Sequence, residues 1–433
     1  MNPRVAAAKI IAAVLRQQGS LSSQLPPILA KLPVTERPLV QNLCYGSLRW
    51  YPRLNAYLEL LLDKPLRSKD SDISALMLLG LYQLEYTRIP DHAAIGETAG
   101  AARALKKAWG TGLVNAILRR FVREKTLLDE QLANNPEFCS AHPQWLLDAL
   151  TSAWPESAAG IIEANNAHPP FTLRVDTTRI SREEYCSQLA GVSISAKITP
   201  FSTAGITLAQ AVDPTELPGF TEGLISVQDE AAQLAAELLE LAPGLSVLDA
   251  CSAPGGKTGH MLQLQPALDV TALDSDARRL ARVEENLQRL GAAARLIHGD
   301  AGEPHSWWNG QGFDRILLDA PCSGSGIIRR HSDIKVLRSA TEITRLAALQ
   351  DLLLQALWPL LKPGGLLLYA TCSALPEENC QVIERFLSQT ADAEHRPIAA
   401  DWGFSQSAGR QLLPQIDGHD GFFYAKLYKS GKT

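Results

Sequence analysis

Short apolar segments alternate with helical ones through the C-terminal half of the chain, and this pattern constrains the fold more than any other feature. The apolar segments lie at 245–250, 269–274, 294–300, 314–319 and 365–371. Continuous apolar runs separated by helices are typical of strands in a parallel sheet covered by helices on both faces. The pattern therefore predicts a doubly wound α/β domain over 226–433.

The first 125 residues follow a helical pattern instead. Apolar side chains recur near a 3.6-residue period, as at Val5, Ile10 and Val14, which indicates amphipathic helices. The strongly apolar segment 74–84 predicts a buried central helix. We expect an all-α domain over 1–140, with the polar segment 126–145 as a linker.

A third pattern lies between these regions. Residues 171–176 alternate as a strand, and Ser181 precedes Glu184 at the spacing of a capping box, which predicts a helix start. Further short strands are expected near 193–199 and 205–212. The segment 141–225 is thus predicted to be a small α+β domain, which gives a multidomain chain of three parts, in line with its 433 residues.

Charge is distributed unevenly along the chain. The total is −5, but residues 1–140 carry +6 and the remainder carries −11. Residues 103–125 supply the whole surplus, with Glu124 as their single acid. Their cations are Arg103, Lys106, Lys107, Arg119, Arg120, Arg123 and Lys125.

Clustered cations on a helical module attract phosphates by releasing counterions. We therefore predict a nucleic-acid-binding surface at Arg103, Lys106, Lys107, Arg119, Arg120 and Arg123, with a solvated helix face as the alternative. Trp109 and Phe121 lie in the same stretch. They can stack on bases, but aromatic side chains of helices are more often core residues, so a core position is favoured for both and base stacking is the alternative.

Cysteine usage and the N-terminus bear on the compartment. The seven cysteines include no CxxC pair, which disfavours a disulfide framework or a zinc ribbon. Charged residues interrupt the apolar N-terminus, and no apolar run approaches the ~20 residues that span a bilayer. We predict a cytoplasmic protein without a metal or a membrane contact, and structural roles for Cys44, Cys139, Cys186 and Cys380.

The segment 249–258, Asp-Ala-Cys-Ser-Ala-Pro-Gly-Gly-Lys-Thr, follows the first predicted strand of the α/β domain. A glycine-rich turn between a strand and a helix lets a ligand approach the backbone closely. The segment lacks the spacing of a Walker loop, because Cys251 stands where the first glycine is required. It is not G-x-G-x-x-G either, so a dinucleotide is disfavoured.

The following strands also end in polar residues. Asp274, placed to accept hydrogen bonds from a ribose, ends the second strand, and Asp300, placed to meet an adenine amino group, ends the third. Asp319-Ala-Pro-Cys322 and Thr371-Cys372 follow the last two. Since parallel strands end at one edge of the sheet, we expect these groups to converge. Helix caps and buried structural cysteines are the alternatives for single members of the set.

These motifs, with Pro376-Glu-Glu-Asn379, resemble those of RNA (cytosine-5) methyltransferases, which use S-adenosylmethionine. The resemblance covers 143–433 and includes Arg174 and Gln228-Asp229. The N-terminal part resembles the NusB-type RNA-binding domain, the small α+β domain is RRM-like, and the catalytic domain is expected to be Rossmann-like. The combination of domains is similar to that of bacterial enzymes that methylate 16S rRNA. Ser252, Asp176 and Ser332 depart from the family pattern without removing a catalytic group.

The resemblance implies a role for each cysteine. Cys372 attacks C6 of cytosine, which activates C5 for methylation, and Cys322 assists removal of the C5 proton and release of the product. Asp319 holds the amino group and N3 of the base, and Lys257 reaches the same site. The implied contacts of S-adenosyl-L-methionine are Cys251, Ser252, Ala253, Pro254, Gly255, Gly256, Lys257, Asp274, Asp300 and Asp319.

The expected partner is 16S rRNA, either free or in an early small-subunit particle, with the target base unpaired or flipped out; the protein is expected to be a monomer. Three alternatives remain open from the residues. They are the same chemistry on tRNA or DNA, a non-enzymatic RNA-binding protein on a methyltransferase fold, and a Rossmann oxidoreductase, which the missing G-x-G-x-x-G disfavours.

Overall fold

The computed structural model describes residues 2–431 and divides into two compact units. The first comprises the residues up to Ala167 together with Ile328–Ala340, and the second comprises His168–Ile327 and the residues from Thr341 onward. The division gives two units, so it does not test the three predicted domains, whose boundaries remain a prediction. It joins residues 141–167 to the helical unit and assigns residues 328–340, which lie within the predicted α/β domain in sequence, to that same unit. No helix of the described residues is long and apolar enough to cross a membrane.

The first unit is helical, as predicted. Its helices up to Ala167 are α1 (Pro3–Leu15), α2 (Leu21–Leu29), α3 (Arg37–Arg49), α4 (Tyr51–Leu61), α5 (Ser71–Tyr86), α6 (Asp91–Ala104), α7 (Gly110–Leu132), α8 (Pro136–Ser140), α9 (Gln144–Ala153) and α10 (Ala158–Asn166). The apolar segment 74–84 lies in α5, which is buried along most of its length and contributes to the core between α1, α3 and α7.

The predicted linker at 126–145 is wrong. Helix α7 continues to Leu132, and its Leu128 and Leu132 side chains are buried. The polar side chains of this stretch lie mainly on the outer face of an amphipathic helix, which a count of polar residues does not distinguish from a linker. Asn135 then caps α8 by accepting a hydrogen bond from Phe138 N, with Pro136 at the first helical position.

The second unit begins with a small α+β domain. It consists of β1 (Phe171–Val175), α11 (Arg182–Gly191), β2 (Ala196–Ile198), β3 (Gly205–Leu208) and β4 (Ile225–Val227). The antiparallel sheet has the order β2-β3-β1-β4. The predicted capping box is confirmed, since Ser181 accepts from Glu184 N and the Glu184 carboxylate accepts from Ser181 N.

The α/β domain contains the predicted parallel sheet. Its elements are α12 (Glu230–Leu238), β5 (Ser246–Ala250), α13 (Gly256–Leu264), β6 (Asp269–Asp274), α14 (Ala277–Leu290), β7 (Arg295–His298), β8 (Phe313–Asp319), α16 (Ala340–Leu357), β9 (Leu361–Thr371), α17 (Cys380–Gln389), β10 (Ala393–Arg396), β11 (Phe404–Ser405), β12 (Arg410–Leu412) and β13 (Phe422–Lys429). Helix α15 (Ile334–Leu337) lies between β8 and α16 in sequence but belongs to the first unit. The strands have the order β11-β12-β13-β9-β8-β5-β6-β7, with β10 paired to β13.

Strands β9, β8, β5, β6 and β7 run parallel, and β13 pairs antiparallel with β9. The strand order reverses at β5, because β6 and β7 follow on one side of it while β8 and β9 follow on the other. Ligands of open α/β sheets bind at such a reversal, beyond the carboxyl ends of the strands. The topology thus predicts the site between the ends of β5 and β8.

One segment of the catalytic sequence belongs to the helical unit. Residues 328–340, which contain α15, pack in the first unit, and the Lys335 ammonium is buried there. It donates to the carbonyls of Arg49 and Ala141 at 2.8 and 2.9 Å and to Asn166 Oδ1 at 2.5 Å. Burial lowers the pKa of Lys335 well below its ordinary value. The chain therefore leaves the sheet soon after the Cys322 loop and returns with α16.

Candidate active site

The glycine-rich turn connects β5 to α13. Cys251 has a φ of +64° and Gly255 a φ of +92°. A Cβ on Gly255 would lie 3.0 Å from the Val283 side chain and 3.1 Å from its Cα, in a backbone region that L-residues rarely adopt, so glycine is required there. Ser252 Oγ is buried and has no hydrogen-bond partner among the described residues, as expected where a polar ligand group completes the site.

Asp274, at the end of β6, is buried beside this turn. Its Oδ2 accepts from Ala253 N at 3.1 Å, and its Oδ1 accepts from Asp276 N at 3.0 Å. Each carboxylate oxygen has a second lone pair for a ribose hydroxyl. Asp300 lies two residues beyond β7, is exposed, and accepts from Gly302 N at 2.8 Å. The adenine contact of Asp300 remains a prediction.

Lys257 and Asp319 join the turn after β5 to the end of β8. Lys257 Nζ lies 2.6 Å from Asp319 Oδ2, and the Lys257 side chain is 12% exposed against 31% for Asp319. Burial alone would lower the pKa of Lys257, but the Asp319 carboxylate, supported by Cys372 and Asp249, outweighs it and raises that pKa. The ammonium therefore stays charged next to a partly accessible carboxylate.

Cys322 and Cys372 follow the ends of adjacent strands, β8 and β9, as predicted. Their Sγ atoms lie 3.3 Å apart, a hydrogen-bond contact that is too long for the ~2.05 Å of a disulfide. The contact with Cys372, then burial, and the nearby Glu378 raise the pKa of Cys322 well above its ordinary value. Cys322 therefore holds its proton more firmly than an ordinary thiol does.

Glu378 connects the two cysteine loops, a role that sequence reasoning did not assign. Its carboxylate accepts from Ser323 N at 2.7 Å, from Ser323 Oγ at 2.5 Å and from Ser373 Oγ at 2.6 Å. These serines directly follow Cys322 and Cys372. Gln350 Nε2 donates to both Pro321 O and Glu378. The sequence indicates this role only by placing a glutamate a few residues after Cys372. It does not show which hydrogen-bond donors face that glutamate.

Two further contacts fix the same loops. Asn379 accepts from Thr371 Oγ1 at 2.5 Å and donates to Ser373 O at 2.9 Å. Gly326 N donates to Cys372 O, and Gly421 N donates to Gly326 O. A Cβ on Gly326 would lie 2.4 Å from Gly421 O, so no other residue fits between these backbones.

The small α+β domain braces the glycine-rich turn through Arg174. This guanidinium is fully buried and donates to Gly256 O at 2.7 Å, to Gln263 Oε1 at 2.8 Å and to Gln228. Burial lowers its pKa to about 9. Arg174 and Gln228, which the resemblance singled out, are therefore positioned to hold the turn.

The basic segment of the helical unit is partly neutralised by local acids. Lys107 Nζ lies 2.6 Å from Asp72 and 3.0 Å from Asp70, and Glu124 pairs with both Arg120 and Arg123. Arg119 Nε donates to Asn115 Oδ1 at 3.2 Å. Arg103 and Lys106 are exposed and form no ion pair with the described residues.

The two aromatic side chains of this segment differ. Phe121 is buried, which agrees with the favoured core position, but Trp109 is 54% exposed, so the core position is wrong for Trp109. Trp109 lies directly before α7, where the chain changes direction, and a helical pattern does not apply at that point. No cluster of three or more metal-ligating side chains occurs among residues 2–431.

The reversed parallel sheet, the glycine-rich turn and the acid after the second strand define the class of Rossmann-like methyltransferases. Family models match three parts of the chain. The 16S rRNA methyltransferase RsmB/F model matches residues 236–428, the ferredoxin-like domain model of RsmF/B-like methyltransferases matches 142–215, and the NusB family model matches 1–123.

Whole-chain relatives agree with these matches. A ribosomal RNA small subunit methyltransferase B of Pseudomonas syringae pv. tomato is 55% identical over 99% of this chain and 97% of its own length. The crystal structure of PH0851 has the same fold, with a TM-score of 0.82, 22% identity and coverage of 99% of both chains. NSun6 of Pyrococcus horikoshii, solved with SFG, has a TM-score of 0.61 and 21% identity over 68% of this chain and all of its own. The chain belongs to the RsmB/F family of 16S rRNA methyltransferases.

Proposed function

We propose that the chain transfers a methyl group from S-adenosylmethionine to C5 of a specific cytosine in 16S rRNA. The observation that carries the proposal is the contact of two thiols, Cys322 and Cys372, at adjacent strand ends beside the Lys257–Asp319 pair. The rRNA substrate follows from the family and from the names of its relatives. The cytoplasmic location and the monomeric state remain predictions.

The residues at the ends of β5 and β6 fit the cofactor. The turn 251–257 and Asp274 would hold it, and the unpartnered hydroxyl of Ser252 offers one polar contact. When bound, S-adenosylmethionine supplies an electrophilic methyl group on a sulfonium. The Asp274 carboxylate is fixed by Ala253 N, so it meets a ribose without reorganisation.

Cys372 acts as the nucleophile in this proposal. Its thiolate forms a bond to C6 of cytosine, and the C5=C6 electron pair becomes available at C5 for methylation. The raised pKa of Cys322 supports this order, because the thiolate is the nucleophile and a thiol that holds its proton is a poor one. Asp319, which is 31% exposed, accepts a hydrogen bond from the amino group of the base, and the contact with Lys257 Nζ orients that carboxylate.

Product release reverses the first bond. The C5 proton leaves to a base, the C5=C6 double bond forms again, and the bond between Cys372 and C6 breaks. Cys372 leaves as the thiolate that attacked, and the Cys322 thiol, whose Sγ lies 3.3 Å away, donates a hydrogen bond to the departing sulfur. Removal of Cys322 should therefore stop the reaction after methylation.

Adduct trapping tests the order of the cysteines. We expect Cys322→Ala to accumulate a covalent RNA–protein complex that survives a denaturing gel, and Cys372→Ala to form none. Cys139→Ala, a change at an exposed cysteine of the helical unit, should behave as the wild type. The opposite pattern would exchange the two roles, and the absence of any adduct together with unchanged methyl transfer would refute covalent catalysis.

Two measurements test the cofactor and the substrate. Titration calorimetry should show that Asp274→Ala strongly weakens binding of S-adenosylmethionine, and unchanged affinity would refute the ribose contact.

Bisulfite sequencing of rRNA from a strain without this protein should show the loss of one 5-methylcytosine in 16S rRNA. Loss of a tRNA methylation instead would assign the alternative substrate.

A further inference from the structure

We propose that the helical unit binds a single-stranded RNA segment along a surface on which an unpaired base stacks on Trp109 and cations of two adjoining pockets hold the flanking phosphates. The proposal rests on the RNA substrate proposed above and adds where and how the helical unit contacts it.

The first pocket contains Trp109. Its volume is about 380 Å³, and its lining includes Lys64, Arg67, Lys69 and Asp70. The indole is 54% exposed, and no aromatic ring contact involves it among the described residues. An accessible indole face surrounded by cations is the combination that single-stranded nucleic acids require, since a base stacks on the ring while the backbone meets the charges.

The second pocket has a volume of about 240 Å³ and is lined by Lys9, Arg16, Lys106 and Asp72, among others. The two pockets adjoin at the start of α5, because Asp70 lines the first and Asp72 the second. Lys107 Nζ lies 3.0 Å from Asp70 and 2.6 Å from Asp72 and also donates to Lys69 O. Lys107 thus neutralises much of the acidic charge that would otherwise repel a phosphate between the pockets.

The charge balance of this surface favours a polyanion. With Lys107, the two pockets hold seven cations against two carboxylates, a net charge of +5. The six other cations form no ion pair with any of residues 2–431 that the structure describes, so they are available for phosphates. The N-terminus of α7, at Gly110, adds a partial positive charge beside the indole.

An unpaired strand fits this surface better than a duplex does. A double helix keeps its base faces stacked inside and offers only its backbone to the protein, which would leave the Trp109 face unused. A loop or a single strand presents both a base face and phosphates. Proteins of this kind act on a base that is unpaired or flipped out, so such strands are present near a target cytosine.

Filter binding of an unmodified 16S rRNA transcript to the full-length protein, over a series of salt concentrations, tests the proposal. Stacking of one base contributes roughly 1–3 kcal/mol, so Trp109→Ala should raise the Kd about 10-fold with the salt dependence unchanged, while Trp109→Phe should retain most of the affinity. Leu127→Ala, a change on the same helix at a side chain that is 53% exposed, is the matched control and should have no effect.

The cations require a separate comparison. Lys64→Ala/Lys69→Ala should lower the slope of log K against log salt by about 1.4, at ~0.7 per phosphate of a single strand. Lys31→Ala/Arg88→Ala removes two exposed cations of the same unit that line neither pocket and should leave the slope unchanged. For all these variants, the affinity for S-adenosylmethionine and kcat at saturating RNA should equal those of the wild type.

The proposal is wrong if Trp109→Ala binds the transcript as tightly as Leu127→Ala does. It is also wrong if Trp109→Ala weakens binding only to a small-subunit particle and not to the bare transcript, because the occupant is then a protein. If the wild type methylates no rRNA while Trp109→Ala still weakens binding, the proposed function fails and the RNA surface stands.

Discussion

Local sequence predicts both the candidate active site and the basic segment 103–125, yet the side chains of the two regions have different kinds of partner. In the candidate active site the two cysteine loops are fixed by contacts from another element, as Glu378 accepts from Ser323 and Ser373. In the basic segment the cations pair with acids nearby, as Arg120 and Arg123 pair with Glu124. The parallel sheet brings distant motifs together, whereas a run of charges on a helix is partly cancelled by its own neighbours.

The largest effect is expected in the candidate active site, where the free energy of unfolding should depend on pH through the buried carboxyl of Asp249. Burial raises the pKa of this carboxyl from 3.8 to about 7, although Thr258 Oγ1 donates to it. The folded state binds the proton more tightly than the unfolded state does. Ionisation of Asp249 therefore lowers the free energy of unfolding progressively as the pH rises from about 4 to 7. The full cost above pH 7 is about 4 kcal/mol at 1.36 kcal/mol per pH unit.

Asp249→Asn removes this titration and keeps an acceptor for Thr258. We expect the variant to be more stable than the wild type by up to about 4 kcal/mol at pH 8, with the difference falling toward zero near pH 4. Urea denaturation at several pH values measures it. An equal difference in the free energy of unfolding at every pH would show that burial does not raise the pKa of Asp249.

The Lys257–Asp319 pair should show the next largest effect. Asp319→Asn leaves the Lys257 ammonium, whose side chain is 12% exposed, without its partner, which should cost about 3 kcal/mol. Lys257→Met/Asp319→Leu removes both charges and should recover most of that stability in urea denaturation. Neither variant should transfer methyl groups at a measurable rate. Recovered activity in the double variant would show that the pair is structural only.

Glu378 is predicted to position the cysteines without contacting the substrate. Glu378→Gln replaces one acceptor oxygen with a donor that faces Ser323 and Ser373, which should lower the free energy of unfolding by about 2 kcal/mol. It should also lower kcat about 10-fold and leave the affinity for S-adenosylmethionine unchanged. The exposed neighbour Glu377 provides the control Glu377→Gln. Measured in a Cys322→Ala background, slower adduct formation at saturating RNA separates positioning from a loss of stability alone.

The sequence predicted the parts of the site that depend on strand order and missed those that depend on side-chain neighbours. Parallel strands end at one edge, so the positions of Asp274, Asp319, Cys322 and Cys372 followed from alternation alone. The partners of Glu378 could not be predicted, because its donors come from separate loops.

The errors in the helical unit have the same origin. The polarity of residues 126–132 predicts a linker because a polarity count does not register the buried side chains of Leu128 and Leu132. Residues 328–340 pack with helices that precede them by more than 150 residues in sequence, as the contact of Lys335 with Ala141 shows, and no local pattern indicates so distant a partner.

The smallest effect is expected at Glu124, where the basic segment cancels part of its own charge. Arg120→Ala/Arg123→Ala should change the Kd for a 16S rRNA transcript by less than about 5-fold, because both guanidinium groups already pair with the Glu124 carboxylate. Glu124→Gln should instead tighten binding slightly and steepen its salt dependence, since it releases both arginines toward phosphates. Arg103→Ala/Lys106→Ala removes two cations that form no ion pair with any of residues 2–431, and it should weaken binding more than the first variant does. If the two double variants weaken binding equally, Glu124 does not mask its neighbours and the whole segment acts as one RNA-binding face.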